Sequence, residues 1–166
     1  MKLYIKEKVF SWGDHFTVKD AEGQDKYLVR GEVFSWGRKL HVYDRFEREV
    51  AFIKQELFTW LPCYHVFVNG TEVAQVRKAF TWFVPKYHVS GLNWDVNGHF
   101  LEHDYQITKN GLPIVTITKE WMTWGDTYEL DIRNPADELI ALAVVLTIDC
   151  VRESSSGSGV SVTIGD

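Results

Sequence analysis

Three histidines stand at matching places along the chain. His41, His65 and His88 sit inside the segments Leu40-His-Val42, Tyr64-His-Val66 and Tyr87-His-Val89. Imidazoles gathered on one surface are zinc ligands by chemical type. Each of these, however, is flanked by apolar residues, so in a strand it points away from the apolar face. Equivalent strands of a hairpin meander lie two strands apart, ~10 Å, whereas zinc needs every imidazole nitrogen within ~2.1 Å. The spacing therefore predicts no metal site. Thr17, Gln106 and Glu129 occupy the same place in other segments, which reads as an exposed or groove-lining position.

Glu102-His103-Asp104 sets a base beside two acids. In a strand, His103 faces away from its neighbours, so adjacency in sequence is not pairing in space. His99 carries no stronger signal. No nucleophile elbow, Ser-His-Asp order or phosphate-cradling glycine loop is present, and no catalytic residue, metal or cofactor is assigned. The strongest ligand candidates are cations. Lys6, Arg30 and Lys54, with Lys8 nearby, form a stripe suited to a phosphate or lipid headgroup; Glu32 and Glu56 on the same face weaken its field. Trp12, Trp36, Trp60, Trp82 and Trp124 recur at one structural place. They read as packing at corners in preference to a membrane-interface belt or a carbohydrate platform. Asp14 and Asp126 each follow a glycine and read as turn-fixing residues.

The elements that position these residues follow from the rest of the chain. Its 166 residues suit one domain. A net charge of -5 argues against a generic nucleic-acid binder, and an aromatic fraction of 14% favours strands. Cys63 lies beside a loop proline and Cys150 in an apolar run, so a disulfide is not expected, and two free thiols suit a reducing cytosol. Lys2 to Lys8 alternates as a strand and reads as neither a signal nor a transit peptide.

The apolar run organises the fold. Asn134 can cap a helix, Pro135 suits its first position, and Asp137 and Glu138 suit its first turn. From Leu139 to Ile148 the segment is apolar on nearly every side, so the helix, about 135–152, must be buried all round. It is too short for a bilayer, which needs ~20 residues. The residues before it repeat. Phe10-Ser-Trp, Phe34-Ser-Trp, Phe58-Thr-Trp and Phe80-Thr-Trp are spaced by 24, 24 and 22 residues, and Met122-Thr-Trp follows after 42, with a degenerate copy at Phe100 between. Each corner is followed by a short strand, a turn such as Asn69-Gly70 or Asn110-Gly111, and a climbing strand. Asn97-Gly98 reads as one further turn.

Six such units, with the last strand paired to the first, give twelve antiparallel strands in a closed barrel. Tilted by ~40°, they make a wall roughly 12 Å in radius and a lumen of roughly 14 Å, which an apolar helix ~10 Å across fills. Counting back from each corner places Ile5, Val29, Ile53, Gln75 and Ile117 against the helix. Lys6, Arg30 and Lys54 then face water, as do Lys8, Glu32, Glu56, Lys78 and Glu120. The barrel domain spans 1–153, and residues 154–166 read as a flexible Ser/Gly linker and tail.

The Phe-Ser/Thr-Trp corners, the segment Trp121-Met-Thr-Trp-Gly-Asp-Thr-Tyr-Glu-Leu-Asp-Ile132 and the apolar helix after it resemble the LURP-one-related (LOR) family, particularly its bacterial members. The resemblance runs from Lys2 to about Val151. It implies a tubby C-terminal-like fold: twelve strands around a buried hydrophobic C-terminal helix. The wider superfamily includes phosphoinositide-binding tubby proteins and phospholipid scramblases. The expectation is thus a non-enzymatic binding or scaffold domain for anionic phospholipid headgroups, cytoplasmic and peripheral to the inner membrane. The alternatives are a protein-interaction module, marked by an exposed aromatic patch, and a small-molecule enzyme, marked by a polar pocket.

Overall fold

The computed structural model describes residues 1–6, 15–32, 36–81, 86–99, 102–120 and 127–156, with the side chains of 155 and 156 left aside. Twelve strands follow one another: β1 (Lys2–Lys6), β2 (His15–Lys19), β3 (Asp25–Gly31), β4 (Lys39–Asp44), β5 (Glu49–Gln55), β6 (Cys63–Val68), β7 (Thr71–Ala79), β8 (Lys86–Ser90), β9 (Trp94–His99), β10 (Asp104–Lys109), β11 (Leu112–Glu120) and β12 (Thr127–Ile132). A 3-10 turn at Pro135–Asp137 leads into α1 (Glu138–Ser156). All strands belong to one sheet. β1 pairs antiparallel with β12, matching Leu3 to Leu130 and Ile5 to Tyr128, which closes the ring at the chain ends. No ladder joins β8 to β9 among the described residues, so the barrel is nearly closed, with one seam there.

Alternation along each strand sends one set of side chains onto α1. Leu3, Ile5, Val18, Val29, Val42, Ile53, Val66, Ile107, Ile117 and Leu130 are buried together with Ala141 to Ile148 of the helix. Water is excluded from every side of the helix, which is why an all-round apolar sequence is stable there. Asn134 caps the entry, its side chain accepting from the Ala136 amide at 3.1 Å. Glu138 then accepts from Tyr27 Oη at 3.0 Å and pairs with Lys26 at 2.7 Å. The helix therefore enters at the end of the barrel that carries the hairpin turns, here the turn end. Two of those turns are Asn69-Gly70 and Asn110-Gly111, with φ positive at both residues, as a type I′ turn requires. The helix leaves at the opposite, corner end. Tyr64 Oη lies 2.6 Å from Ser154 Oγ, which also donates to the Cys150 carbonyl, and α1 runs on to Ser156, past the linker start expected at 154.

Three register expectations meet differences. Gln75 does not face the helix: Ala74 and Val76 are buried and Gln75 is half-exposed. The β6–β7 ladder shifts register between Val66 and Phe67, and burial of the apolar Val76 decides the strand's facing over its spacing from the corner. Asn97-Gly98 makes no turn; both lie within β9, opposite Gln106 and Tyr105. Gly98 has φ +136, and a Cβ there would meet the Tyr105 backbone at 2.6 Å, so only glycine allows this approach. His103 is not in a strand. It turns at φ +49 between β9 and β10 and points inward.

Candidate functional site

The outward surface near the corner end carries the cation stripe. Lys6, Arg30 and Lys54 are exposed on β1, β3 and β5, as their place in the repeat requires. Among the described residues none has a carboxylate in ion-pair range, although Arg30 lies 5.1 Å over the ring of Tyr43. Lys8 lies outside the described residues. The acids that share this face are engaged by other groups. Glu32 bonds Lys39 at 2.8 Å and His41 at 2.9 Å; Lys39 first and then His41 hold its carboxyl below the ordinary carboxylate range. Glu56 pairs with His65 at 3.7 Å and Arg77 at 3.9 Å.

The repeated histidine place is a cross-strand clip. His41 Nδ1 lies 2.6 Å from Glu49 and its Nε2 2.9 Å from Glu32. His65 makes the matching contact to Glu72 at 2.8 Å. In the last unit Glu129 takes that place and holds Lys2 at 2.8 Å and Tyr4 Oη at 2.7 Å. His88 is exposed opposite Arg77, and His99 is exposed at the end of β9. The structure does not bring His41, His65 and His88 together, and no group of three or more metal-ligand side chains is assembled among the described residues. Glu102 and Asp104 point to solvent, away from His103.

The corner loops overturn one expectation. Trp36 is 84% exposed, Trp60 96% and Phe58 98%, with Phe80 also exposed. These rings do not pack into the barrel corners. Backbone bonds explain why: Gln55 N donates to the Arg38 carbonyl, Glu56 N to that of Cys63, and Lys78 N to that of Pro62. The corners are tied together through the main chain, and at Gly37 (φ +81) a Cβ would meet Leu57 Cδ2 at 2.7 Å. The side chains that follow project outward from these tight loops. Phe58 itself adopts φ +61, uncommon for a bulky residue. Trp12, Trp82, Trp124, Asp14 and Asp126 lie outside the described residues.

Inside the corner end lies a polar cluster that the reading of the sequence missed. Asp149 is 2% exposed on α1. It accepts from Tyr128 Oη and, at 3.0 Å, from Arg152 Nη1. Arg152 Nη1 also lies 2.6 Å from His103 Nε2, which is 3.2 Å from Asp149. The imidazole stacks on Tyr128 with centroids 4.2 Å apart. Burial, reinforced by the Asp149 charge, pushes the Tyr128 phenol well above its ordinary value. Nearby, Arg38 bonds Glu153 at 2.7 Å; burial raises the Glu153 carboxyl even so. Cys63 and Cys150 are both free and buried.

This architecture has relatives. A sequence model of the LURP-one-related family matches residues 1–149. The chain belongs to the LURP-one-related family. Within it, the chain is 34% identical over 151 residues to Bacillus subtilis (strain 168) YxjI, an "uncharacterized protein", covering 91% of this chain and 93% of that one. Its fold is similar to the X-ray structure of an Arabidopsis thaliana protein, with a TM-score of 0.62, 16% identity and 90% coverage of each chain. The signal for the LOR chain's buried cluster was present in its sequence: Asp149 and Arg152, one turn apart, interrupt an apolar helix, and a buried charge demands partners.

Proposed function

We propose that this LOR protein is a non-enzymatic binding domain that holds anionic phospholipid headgroups on the face carrying Lys6, Arg30 and Lys54. The observation that supports this is the set of three outward cations on alternating strands, with no carboxylate in ion-pair range among the described residues while the neighbouring Glu32 and Glu56 are engaged elsewhere. Such cations attract anionic surfaces by about 1 kcal/mol each near the membrane, and the attraction fades within a Debye length. The wider surface supports a directional field. At the corner end, Lys39, Arg77, Lys78 and Lys86 stand with Glu32 and Glu56 on the β3–β8 sector, whereas Glu102, Asp104 and Glu120 stand on the β9–β12 sector with Lys119. A cytoplasmic location at the inner membrane surface follows from this reading.

Binding would be peripheral, since no helix among the described residues is long and apolar enough to cross a membrane. The exposed corner rings support a second reading, a protein-interaction module. An enzyme has less support: among the described residues the buried acid–base cluster, Asp149 with His103, is shut away from solvent.

Co-sedimentation with phosphatidylcholine and phosphatidylglycerol vesicles at low and moderate salt separates these readings. The headgroup reading expects salt-sensitive binding to anionic vesicles alone, abolished in Lys6→Glu/Arg30→Glu/Lys54→Glu. Absence of binding in every condition would contradict it and leave the protein-interaction reading.

A further inference from the structure

We propose that the corner end is a membrane-inserting rim: Trp36, Phe58, Trp60 and Phe80, with Leu57, enter the interfacial layer of an anionic bilayer, so that the barrel docks end-on. This rests on the headgroup reading above and specifies how that surface is engaged. The side chains come from three successive corners at one end of the barrel, β3–β4, β5–β6 and β7–β8. Rings held almost wholly in water, as those of Trp36, Phe58 and Trp60 are, are the reverse of what folding alone selects. Phe58 is presented by a left-handed backbone that a phenylalanine rarely adopts. Tryptophan is the side chain that gathers at membrane–water interfaces, where its apolar body and polar N–H meet matching layers.

The geometry also sets the cations at a useful depth. Lys54 precedes Phe58 by four residues, and Arg30 and Lys6 hold the same place relative to their own corners. At no more than ~3.3 Å per residue, on a strand tilted by ~40°, this puts Lys54 at most roughly 10 Å above Phe58 along the barrel axis. The polar layer of a bilayer leaflet is roughly 5–7 Å thick. With the rings at the boundary of the hydrocarbon, lysine and arginine side chains reach back to the phosphates. The occupant is therefore a lipid surface: Lys54 and Arg30 stand behind the aromatic tip, and the acids between them and the corners, Glu32 and Glu56, are turned to His41, Lys39, His65 and Arg77.

The test compares three proteins on phosphatidylcholine–phosphatidylglycerol vesicles: the native chain, Phe58→Asn/Trp60→Ser, and Lys6→Glu/Arg30→Glu/Lys54→Glu. Partitioning is read by co-sedimentation. Depth is read by quenching of tryptophan fluorescence with lipids brominated along their acyl chains, and association by light scattering. The exposed positions allow both variants to fold, which circular dichroism checks. The proposal expects the native chain to be quenched most by bromines nearest the headgroup, and Phe58→Asn/Trp60→Ser to partition about tenfold more weakly or less still. Partitioning unchanged in that variant, or native binding without quenching, overturns insertion while leaving headgroup binding intact. No binding of the native chain overturns both. A native dimer that Phe58→Asn/Trp60→Ser converts to a monomer, with no vesicle binding, overturns the lipid rim in favour of self-association.

Discussion

Replacing Asp149 by alanine should unfasten the helix from the barrel at its exit. The carboxylate is buried and serves two donors, Tyr128 Oη and Arg152 Nη1, with His103 stacked alongside. Losing a charge-assisted hydrogen bond costs about 1.5–3 kcal/mol. Arg152, mostly buried beside it, would also keep its charge with its counter-ion gone. Breaking a buried pair from one side costs about 3–5 kcal/mol in all, a large share of the ~5–15 kcal/mol of a typical domain. Urea titrations followed by far-UV circular dichroism, with the slope checked for constancy, measure the difference. Asp149→Leu/Arg152→Leu removes both charges and should lose less than Asp149→Ala alone. A loss below about 1 kcal/mol for Asp149→Ala would refute the reasoning, because a buried, doubly used carboxylate cannot be that cheap to remove.

Val76→Gln should cost about 1–3 kcal/mol by placing an amide against the helix, while Gln75→Val should change stability by no more than about 0.5 kcal/mol; the reverse order in urea melts would restore the register read from the corner spacing. Trp60→Ser should leave the melting temperature nearly unchanged, since a ring that is 96% exposed contributes little to folding. At alkaline pH the fold should fail progressively. Burial pushes the Tyr87 phenol and the Cys150 thiol each up to about 12, from ordinary values of 10.0 and 9.0, and raises Tyr64, Tyr105 and Tyr128 as well. A raised folded value gives stability that is whole below the unfolded value and is lost as pH climbs. Each buried group therefore removes about 1.4 kcal/mol per pH unit above pH 9 to 10. Urea midpoints should fall as the tyrosinate absorbance of the buried phenols rises, and ionisation of more phenols than the partly exposed Tyr4, Tyr27 and Tyr43 before unfolding would contradict the enclosure of the rest.

Much of the architecture was legible because it rests on periodicity. A helix apolar on every side has one home in a water-borne domain, and a repeat of about 24 residues with Asn-Gly turns specifies hairpins. Facing was legible wherever apolar and charged residues alternate, as at Ile53 and Lys54. It failed at Gln75, where the corner spacing was followed against the local preference of Val76. Asn97-Gly98 misled because the dipeptide favours a turn, while the close approach of Tyr105 needs the same glycine inside a strand. The candidate site was half legible. Lys6, Arg30 and Lys54 face outward through their register, which repetition reveals. His103 was not, because its inward turn comes from a left-handed backbone and from Asp149, 46 residues further on. The exposure of Trp36 and Trp60 was hidden for a related reason. Aromatic repetition suggests packing, and only the main-chain bonds that already close the corners leave the rings outside.

If the corner end, and not the turn end, meets an anionic surface, probes at the two ends will respond differently. The most direct measurement attaches an environment-sensitive fluorophore at Thr59→Cys, on the β5–β6 corner, and separately at Glu22→Cys, on the β2–β3 turn. The native thiols are both buried, and buried thiols react slowly. On adding phosphatidylglycerol vesicles the probe at 59 should shift to the blue and the probe at 22 should not. A shift at 22 alone, or at neither position, would contradict the account.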